Sequence, residues 1–335
     1  MTMTNRRVLL ASRPTGIAQA DNFAIDEVAV AEPGEGEVLV RNHYLSVEPA
    51  MRGWIADAGN YAQPVGIGEV MRALASGIVV KSRHPDYQAG DAVTGWFGWQ
   101  SFAVVGPQAI ERRVAPDELS LSLGILGING LTAYLALTRV GLPKPGDTVV
   151  VSTAAGSVGS AVGQIARLLG CRTVGIAGGP DKVAACRDTF GYDAAIDYKT
   201  DDVGQAIAAA CPDGINIYFD NTSGRISDAV LPHLAIGARV VVCGTASIES
   251  WNPWPQGPRV ERHLLVKRAR MEGFVIFDHA DSYDEARAAL RGWIADGRLR
   301  FREEILDGIE ACPDALAGLY RGENQGKRLI RLVAP

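Results

Sequence analysis

The sequence predicts an α/β protein in two parts, a doubly wound parallel sheet and a smaller β-rich domain. Three observations carry that prediction. Between Thr148 and Phe277 six short apolar runs alternate with helical patterns, the order that successive βαβ units require. Between Val8 and Val114 the chain shows β-like runs broken by turn signals at roughly 8- to 12-residue spacing, as in a compact barrel or sandwich. A length of 335 residues favours two domains over one.

In the first region the strand-like runs are Pro33 to Val47, Ala75 to Ser82, Ala89 to Trp99 and Ser101 to Val105. Between them, Pro49 to Arg72 has no clear period and carries Trp54 and Tyr61, so it reads as loop material that either lines a pocket or covers the barrel. Leu121 to Leu137 reads as helix-rich, and Pro143 to Asp147 is a turn feeding the second region. The six strands expected there are Thr148–Ser152, Arg172–Ile176, Ala194–Asp197, Ile215–Asp220, Ala238–Cys243 and Met271–Phe277. The helix after the first of them places Val158, Ala161, Val162, Ile165 and Leu169 on one apolar stripe. A further helix spans Ser282 to Asp296, with Ser282 and Glu285 in capping-box spacing. A last apolar strand, Arg328 to Val333, could return to the first region and make that domain discontinuous. The expected division is therefore 1–125 plus 299–335 against 126–298.

Charge and cysteine usage exclude several classes. The net charge is −5 with acidic and basic residues interleaved, which is no footprint for nucleic acid; the tightest basic cluster, Lys267, Arg268 and Arg270, reads as a solvated strand edge. No run approaches about 18 consecutive apolar residues, and Arg13 cuts short the only apolar stretch near the start, so neither a membrane span nor a secretory leader is expected. A cytoplasmic protein is the expectation. The five cysteines, Cys171, Cys186, Cys211, Cys243 and Cys312, are odd in number and contain no C-x-x-C pair, which fits reduced thiols.

The candidate functional stretch is TVVVSTAAGSVGSAVG, Thr148 to Gly163, a strand, a small-residue turn and a helix opening. Against the G-x-G-x-x-G template its slots fall on Ala154, Gly156 and Gly159. Gly156 would let backbone N–H groups approach a pyrophosphate, Gly159 would let the helix pack on its strand, and the helix N-terminus would add partial positive charge. The second strand ends in Gly178 and Gly179 where an NAD site usually has an acid. Two readings stand: Lys182 pairs with a 2′-phosphate, pointing to NADP, or Asp181 bonds a ribose hydroxyl. For a catalytic zinc the first domain offers His43 and His84 but no cysteine, so no zinc site is legible. A reductase without such a Lewis acid leans towards activated C=C or quinone reduction, because hydride addition to an enone spreads charge into an enolate that hydroxyls can stabilise.

Many ordered motifs carry a resemblance: NHYLSVEPAMRGW from Asn42, the run from Gly68 to Val105, GLTAY from Gly130, the run from Ala154 to Gly179, DYK from Asp197, VKRARMEGF from Val266 and GENQGK from Gly322. Together they resemble the zinc-free medium-chain dehydrogenases/reductases, and within them the prostaglandin reductases, alkenal double-bond reductases and curcumin-reductase-like enzymes. The resemblance implies a GroES-like first domain that includes the C-terminal tail, a Rossmann second domain and NADPH as cofactor. It assigns Gly156, Ser157, Val158 and Gly159 to the pyrophosphate, and Lys182 with Tyr198 to the 2′-phosphate. Asn221, Cys243, Gly244, Thr245, Phe274, Val275 and Asn324 would line the adenosine, nicotinamide and ribose side. A homodimer joined through the sixth strand is also implied.

Departures from the family pattern bear on catalysis. The family's D-P-Y-M-R has a tyrosine where this chain has Ala50, its I-S-x-Y-N aligns with Trp251 and Asn252, and a second family tyrosine is Val266 here. Tyr61 becomes the candidate catalytic hydroxyl. Ala50, Trp54, Tyr61, Trp251 and Trp254 become the expected substrate pocket, roomier at Ala50 and walled by indoles. The function implied is NADPH-dependent reduction of the C=C bond of α,β-unsaturated aldehydes or ketones, a small-molecule substrate. The rivals are an NADPH:quinone oxidoreductase and a catalytically idle NADPH-binding protein.

Overall fold

A computed structural model describes residues 3–57, 60–250 and 253–334. The chain divides into two compact units: 1–124 with 303–324 and 328–335, and 125–302 with 325–327.

The first unit opens with an antiparallel hairpin of β1 (Thr4–Leu10) and β2 (Phe23–Ala29). Then follow β3 (Val38–Ser46), the single helical turn α1 (Met51–Trp54), β4 (Ala75–Ser82), β5 (Ala92–Gly95), β6 (Phe102–Val105) and β7 (Ile110–Arg113). The run expected as a strand over Ala89 to Trp99 yields only the four residues of β5. Beyond Gly95 the chain turns inward through Gly98, whose φ of +72° no extended strand allows, and Phe97 and Trp99 are buried in the core.

The second unit follows in chain order with α2 (Ile128–Leu135), β8 (Thr148–Ser152), α3 (Ser157–Leu168), β9 (Arg172–Ala177), α4 (Pro180–Ala184), β10 (Ala194–Asp197), α5 (Val203–Ala210), β11 (Ile215–Asp220), α6 (Gly224–Val230), β12 (Leu234–Val242), α7 (Glu261–Lys267), β13 (Arg270–Gly273) and α8 (Tyr283–Ala295). Its sheet is parallel, in the order β10-β9-β8-β11-β12-β13. This is the doubly wound Rossmann order, with the chain reversing direction between β8 and β11. Helices cover both faces of such a sheet, so the middle of the central strand is apolar: Val149, Val150 and Val151 are fully buried.

Two expectations are corrected here. The sixth strand ends at Gly273 rather than Phe277, because the chain leaves it through 3-10 turns from Ile276 to Ser282. The side chain of Ser282 makes no capping bond at α8: it sits at φ −101°, ψ 2°, outside the extended conformation that an N-cap needs, because those turns run straight into the helix.

After α8 the chain returns to the first unit as β14 (Glu303–Asp307), α9 (Cys312–Arg321) and β15 (Lys327–Arg331). β15 pairs antiparallel with β3, Leu329 opposite Ser46 and Ile330 opposite Leu45, in a sheet ordered β14-β15-β3-β4-β5-β7 with β6 also on β3. Ile309, Cys312, Leu316 and Ile330 share one core with Val8, Val40, Met51 and Trp99, so a continuous hydrophobic cluster ties the last thirty-odd residues to the first hundred. Among the described residues no helix is long and apolar enough to cross a membrane.

Candidate active site

The glycine turn after β8 is held by its own backbone. Thr153 adopts φ +53°, and the Gly156 N–H donates to its carbonyl at 2.9 Å. The alanine in the first template slot has a packing reason: Ala154 is fully buried, and a Cβ on Gly175 of the neighbouring β9 would meet the Ala154 methyl at 2.8 Å. Gly175, without a Cβ, leaves the space that this methyl needs, so the close approach is made from the neighbouring strand. A Cβ on Gly159 would collide with the Thr153 carbonyl oxygen, and its own carbonyl accepts the Tyr192 hydroxyl at 2.6 Å, so α3 sits hard against the turn. Ser157 and Val158 open the twelve-residue α3, whose free N–H groups and dipole suit a pyrophosphate. Gly326, at φ +76°, makes a parallel bridge to Gly156, and a Cβ there would strike the Arg302 carbonyl.

At the tip of β9 the two glycines are pinned from β10. The Asp197 carboxylate accepts the Gly179 N–H at 2.9 Å and the Lys199 N–H at 3.0 Å, and these bonds, the Gly179 one foremost, hold its carboxyl below the usual range. The Tyr198 ring lies on Gly178, where a Cβ would come within 2.7 Å of it. Gly179, at φ +94°, has open space where a Cβ would be and leads through Pro180 into the turn of α4 that carries the exposed Asp181 and the half-buried Lys182. An open glycine tip beside a lysine and a tyrosine fits a nucleotide ribose bearing a 2′-phosphate.

The end of β11 contains a group that the sequence reading passed over. Asp220 is 3% exposed, and its Oδ1 accepts the Thr222 N–H at 2.9 Å, the Ser223 N–H at 2.8 Å and the Tyr218 hydroxyl at 3.1 Å, while Oδ2 accepts the Ser227 hydroxyl at 2.6 Å. Next to it Asn221 is fixed to the end of β8, its Nδ2 donating to the Ser152 carbonyl at 2.7 Å and its own N–H going to the Ser152 hydroxyl at 2.8 Å. The β12 end folds onto the same carboxylate residue, with the Cys243 and Gly244 N–H groups both donating to the Asp220 carbonyl. Burial, and secondarily the Asp220 charge, pushes the Cys243 thiol up to about 12, so it is a protonated packing group at neutral pH. Thr245 is exposed beyond it. Phe274 is buried, stacks on His279 with ring centroids 4.6 Å apart, and sits where its N–H still bonds Val242; Val275 follows, half-buried. The signal for Asp220 was present as D-N-T-S, an acid followed by short hydroxyl residues, a pattern of local turn bonds.

In the first unit, Ala50 is half-buried at the start of α1, and Tyr61 is 55% exposed. Trp54 is placed otherwise than expected: it is 2% exposed, within the core, edge-on to Trp96 at 5.7 Å, because the α1 turn directs its large apolar ring inward. Glu48 is buried and accepts the Ser46 hydroxyl at 2.6 Å, and the buried Arg52 donates to the Gly16 carbonyl at 2.6 Å. Asn324, just past α9, is half-buried. In the second unit Trp254 is 75% exposed; Trp251 lies outside the described residues. His43 is half-buried in β3, its imidazole pushed down by burial and by Arg41, and His84 Nδ1 accepts the Asp86 N–H at 3.0 Å in a turn. Among the described residues no three or more His, Cys, Asp or Glu side chains come together as a metal site.

A parallel sheet in the 3-2-1-4-5-6 order, a glycine turn on the first helix N-terminus and a β-rich companion unit define a nucleotide-dependent oxidoreductase of the medium-chain dehydrogenase/reductase type. Comparison with known proteins agrees: residues 6–112 match a family model described as the N-terminal domain of oxidoreductase, and residues 157–291 match one described as zinc-binding dehydrogenase. The chain is 43% identical to an NADPH-dependent curcumin reductase of Escherichia coli over 98% of its length and 97% of the relative's. It is 35% identical to a 2-alkenal reductase (NADP(+)-dependent) of Nicotiana tabacum, again over 98% of this chain and 97% of that one. A solved structure of CurA from Vibrio vulnificus in complex with NADPH superposes with a TM-score of 0.94 at 42% identity, covering 98% of this chain and all of the other. The chain therefore belongs to the family of curcumin, alkenal and prostaglandin reductases.

Proposed function

We propose that this protein uses NADPH to reduce the C=C bond of α,β-unsaturated aldehydes and ketones. The observation that carries the reading is its likeness, over essentially the whole chain, to an NADPH-dependent curcumin reductase. The glycine tip with Lys182 and Tyr198 supports the choice of NADPH over NADH. Bound NADPH supplies a hydride, which the β-carbon of the enone receives. The remaining work belongs to the protein. Gly156 to Gly159 hold the pyrophosphate on the α3 N-terminus, Lys182 and Tyr198 hold the 2′-phosphate, and Asn221, Cys243 to Thr245, Phe274, Val275 and Asn324 line the rest of the dinucleotide. Charge that builds up on the carbonyl oxygen is met by hydroxyl donors, with Tyr61 as one, and the α-carbon takes its proton from solvent. The small side chain of Ala50 would leave room for a bulky or aromatic substrate near Tyr61.

A homodimer is part of the same reading. Among the described residues β13 is the last strand of its sheet, and Leu265 and Val266 on the adjoining α7 are 79% and 52% exposed, a combination that a second copy would cover. The test of function follows NADPH absorbance with a panel of enones and enals, benzoquinone being run in parallel. Enone-dependent oxidation of NADPH is expected. Turnover of benzoquinone alone would assign the protein to quinone reduction, and tight NADPH binding with no turnover of either class would make it a binding protein.

A further inference from the structure

In the first unit the β1–β2 hairpin is tied to the sheet by backbone: the Ser101 N–H donates to the Arg6 carbonyl at 2.9 Å, and the Asn42 N–H to the Ser101 carbonyl at 2.9 Å. At this join a cavity of about 230 Å³ opens. Strand register sets its walls, Arg6 lying opposite Glu27 across the hairpin and Arg41 on β3 opposite Phe102 on β6. The tail adds Leu332, whose N–H bonds the His43 carbonyl at 2.8 Å, and Val333. We propose that this cavity binds a small apolar α-amino acid as a zwitterion, its ammonium towards Glu27 and its carboxylate on Arg41. The site lies wholly in the first unit and stands independently of the reaction proposed above.

The charges on the walls do not cancel locally, and that asymmetry selects the ligand. Arg6 faces two carboxylates, Nη1 bonding Glu310 and Nε lying 3.1 Å from Glu27 Oε1, which leaves the hairpin wall one negative charge in surplus. Arg41 is exposed and pairs with no carboxylate among the described residues, so the sheet wall carries one positive charge in surplus. A lone anion would satisfy Arg41 but be repelled by Glu27, and a lone cation would meet the reverse. A zwitterion suits both walls. The buried floor adds a third requirement: Asn42 donates from Nδ2 to the Gln100 carbonyl at 2.8 Å, while its Oδ1 has no hydrogen-bond partner among the described residues. A buried acceptor left without a partner costs free energy, which an ammonium N–H reaching the floor relieves. Phe102, Leu332 and Val333, each half-buried, offer an apolar side chain a surface to pack on. The volume falls below the roughly 300–1,000 Å³ of drug-sized sites yet is several times the roughly 30 Å³ of one water, which suits a single amino acid rather than a peptide.

The test titrates the intact protein with L-leucine by isothermal titration calorimetry, beside 4-methylpentanoate, which lacks the ammonium, 3-methylbutylamine, which lacks the carboxylate, and glycine, which lacks the apolar side chain. Ion pairs at an accessible cavity are screened, so the expected leucine affinity is modest, a Kd of about 1 mM at one site per chain. Each analogue is expected to bind at least about threefold more weakly, and R41Q and E27Q to weaken leucine about three- to tenfold with melting temperature unchanged, both side chains being exposed. R41Q should not weaken the amine, and R41K, which keeps the charge, should retain most of the leucine affinity, so that a loss in R41Q reads as charge rather than fold. No saturable heat with leucine up to about 20 mM overturns the proposal. So does leucine affinity within twofold of wild type in R41Q or E27Q, which moves binding to another site. An acid that binds as tightly as leucine overturns it too, being the mark of an anion site.

Discussion

One segment in each unit shows how differently the two are built. In the second unit, the turn after β8, the tip of β9 and the ends of β11 and β12 are fixed by backbone: glycines in tight contact, positive φ at Thr153, Gly179 and Ser223, and main-chain N–H groups gathered by Asp197 and Asp220. In the first unit, the α1 turn around Pro49 and Arg52 is fixed by side-chain bonds that reach far along the chain, Arg52 to Gly16 and Tyr320 to Pro49. A backbone-built site tolerates almost no change and keeps its ligand. A segment held by side chains can change one of them and keep its backbone, which leaves more room for a scaffold to vary its specificity.

The comparison can be broken most severely at Gly159. G159V places branched carbon against the Thr153 carbonyl and should cost about 3 kcal/mol or more of stability, together with the loss of measurable NADPH binding; urea denaturation and fluorescence titration read both. Next in size is K182A. If the 2′-phosphate pairs with Lys182, NADPH affinity should fall about tenfold or more while NADH affinity stays constant, since one charge-assisted bond is worth about 1.5–3 kcal/mol. Equal losses for both cofactors would remove Lys182 from the 2′-phosphate site. D220N keeps the shape of the buried carboxylate but turns one acceptor into a donor facing N–H and O–H groups. It should weaken NADPH binding several-fold through Asn221 and Gly244 and lower stability by about 1–3 kcal/mol.

Smaller effects test the first unit. Y61F should lower enone kcat only a few-fold, because a residue 55% exposed has water competing for its hydrogen bonds; an unchanged kcat would leave Tyr61 as a wall. The smallest effect is one of pH. His43 is held below its ordinary pKa by burial and by Arg41, so the unfolded chain binds its proton first, and the stability this group contributes is present above about pH 6.5 and lost as pH falls through the lower folded value. H43Q should therefore show a smaller drop in urea midpoint between pH 7.5 and pH 5.5 than wild type.

Much of this was legible in the sequence for a physical reason. Parallel strands buried on both faces are continuous apolar runs, so β8, β10 and β11 match the expected ranges residue for residue. β1 was hard to read because arginines interrupt it, and it stands because Arg7 pairs with Asp26 across the hairpin, Nε to Oδ1 at 2.9 Å. The burial of Trp54 was likewise invisible, since nothing local distinguishes a tryptophan that walls a pocket from one that packs beneath a turn.

Local chemistry in the sequence was enough to determine the nucleotide fold, the glycine turn and the phosphate-binding lysine candidate, because each depends on residues within one βαβ unit. The tertiary structure decided what depends on distant segments: that Gly175 permits Ala154, that Asp220 organises three strand ends, and that Tyr320 meets a turn 271 residues away. Periodicity encodes which face of an element is buried, but not which side chain from elsewhere will arrive against it.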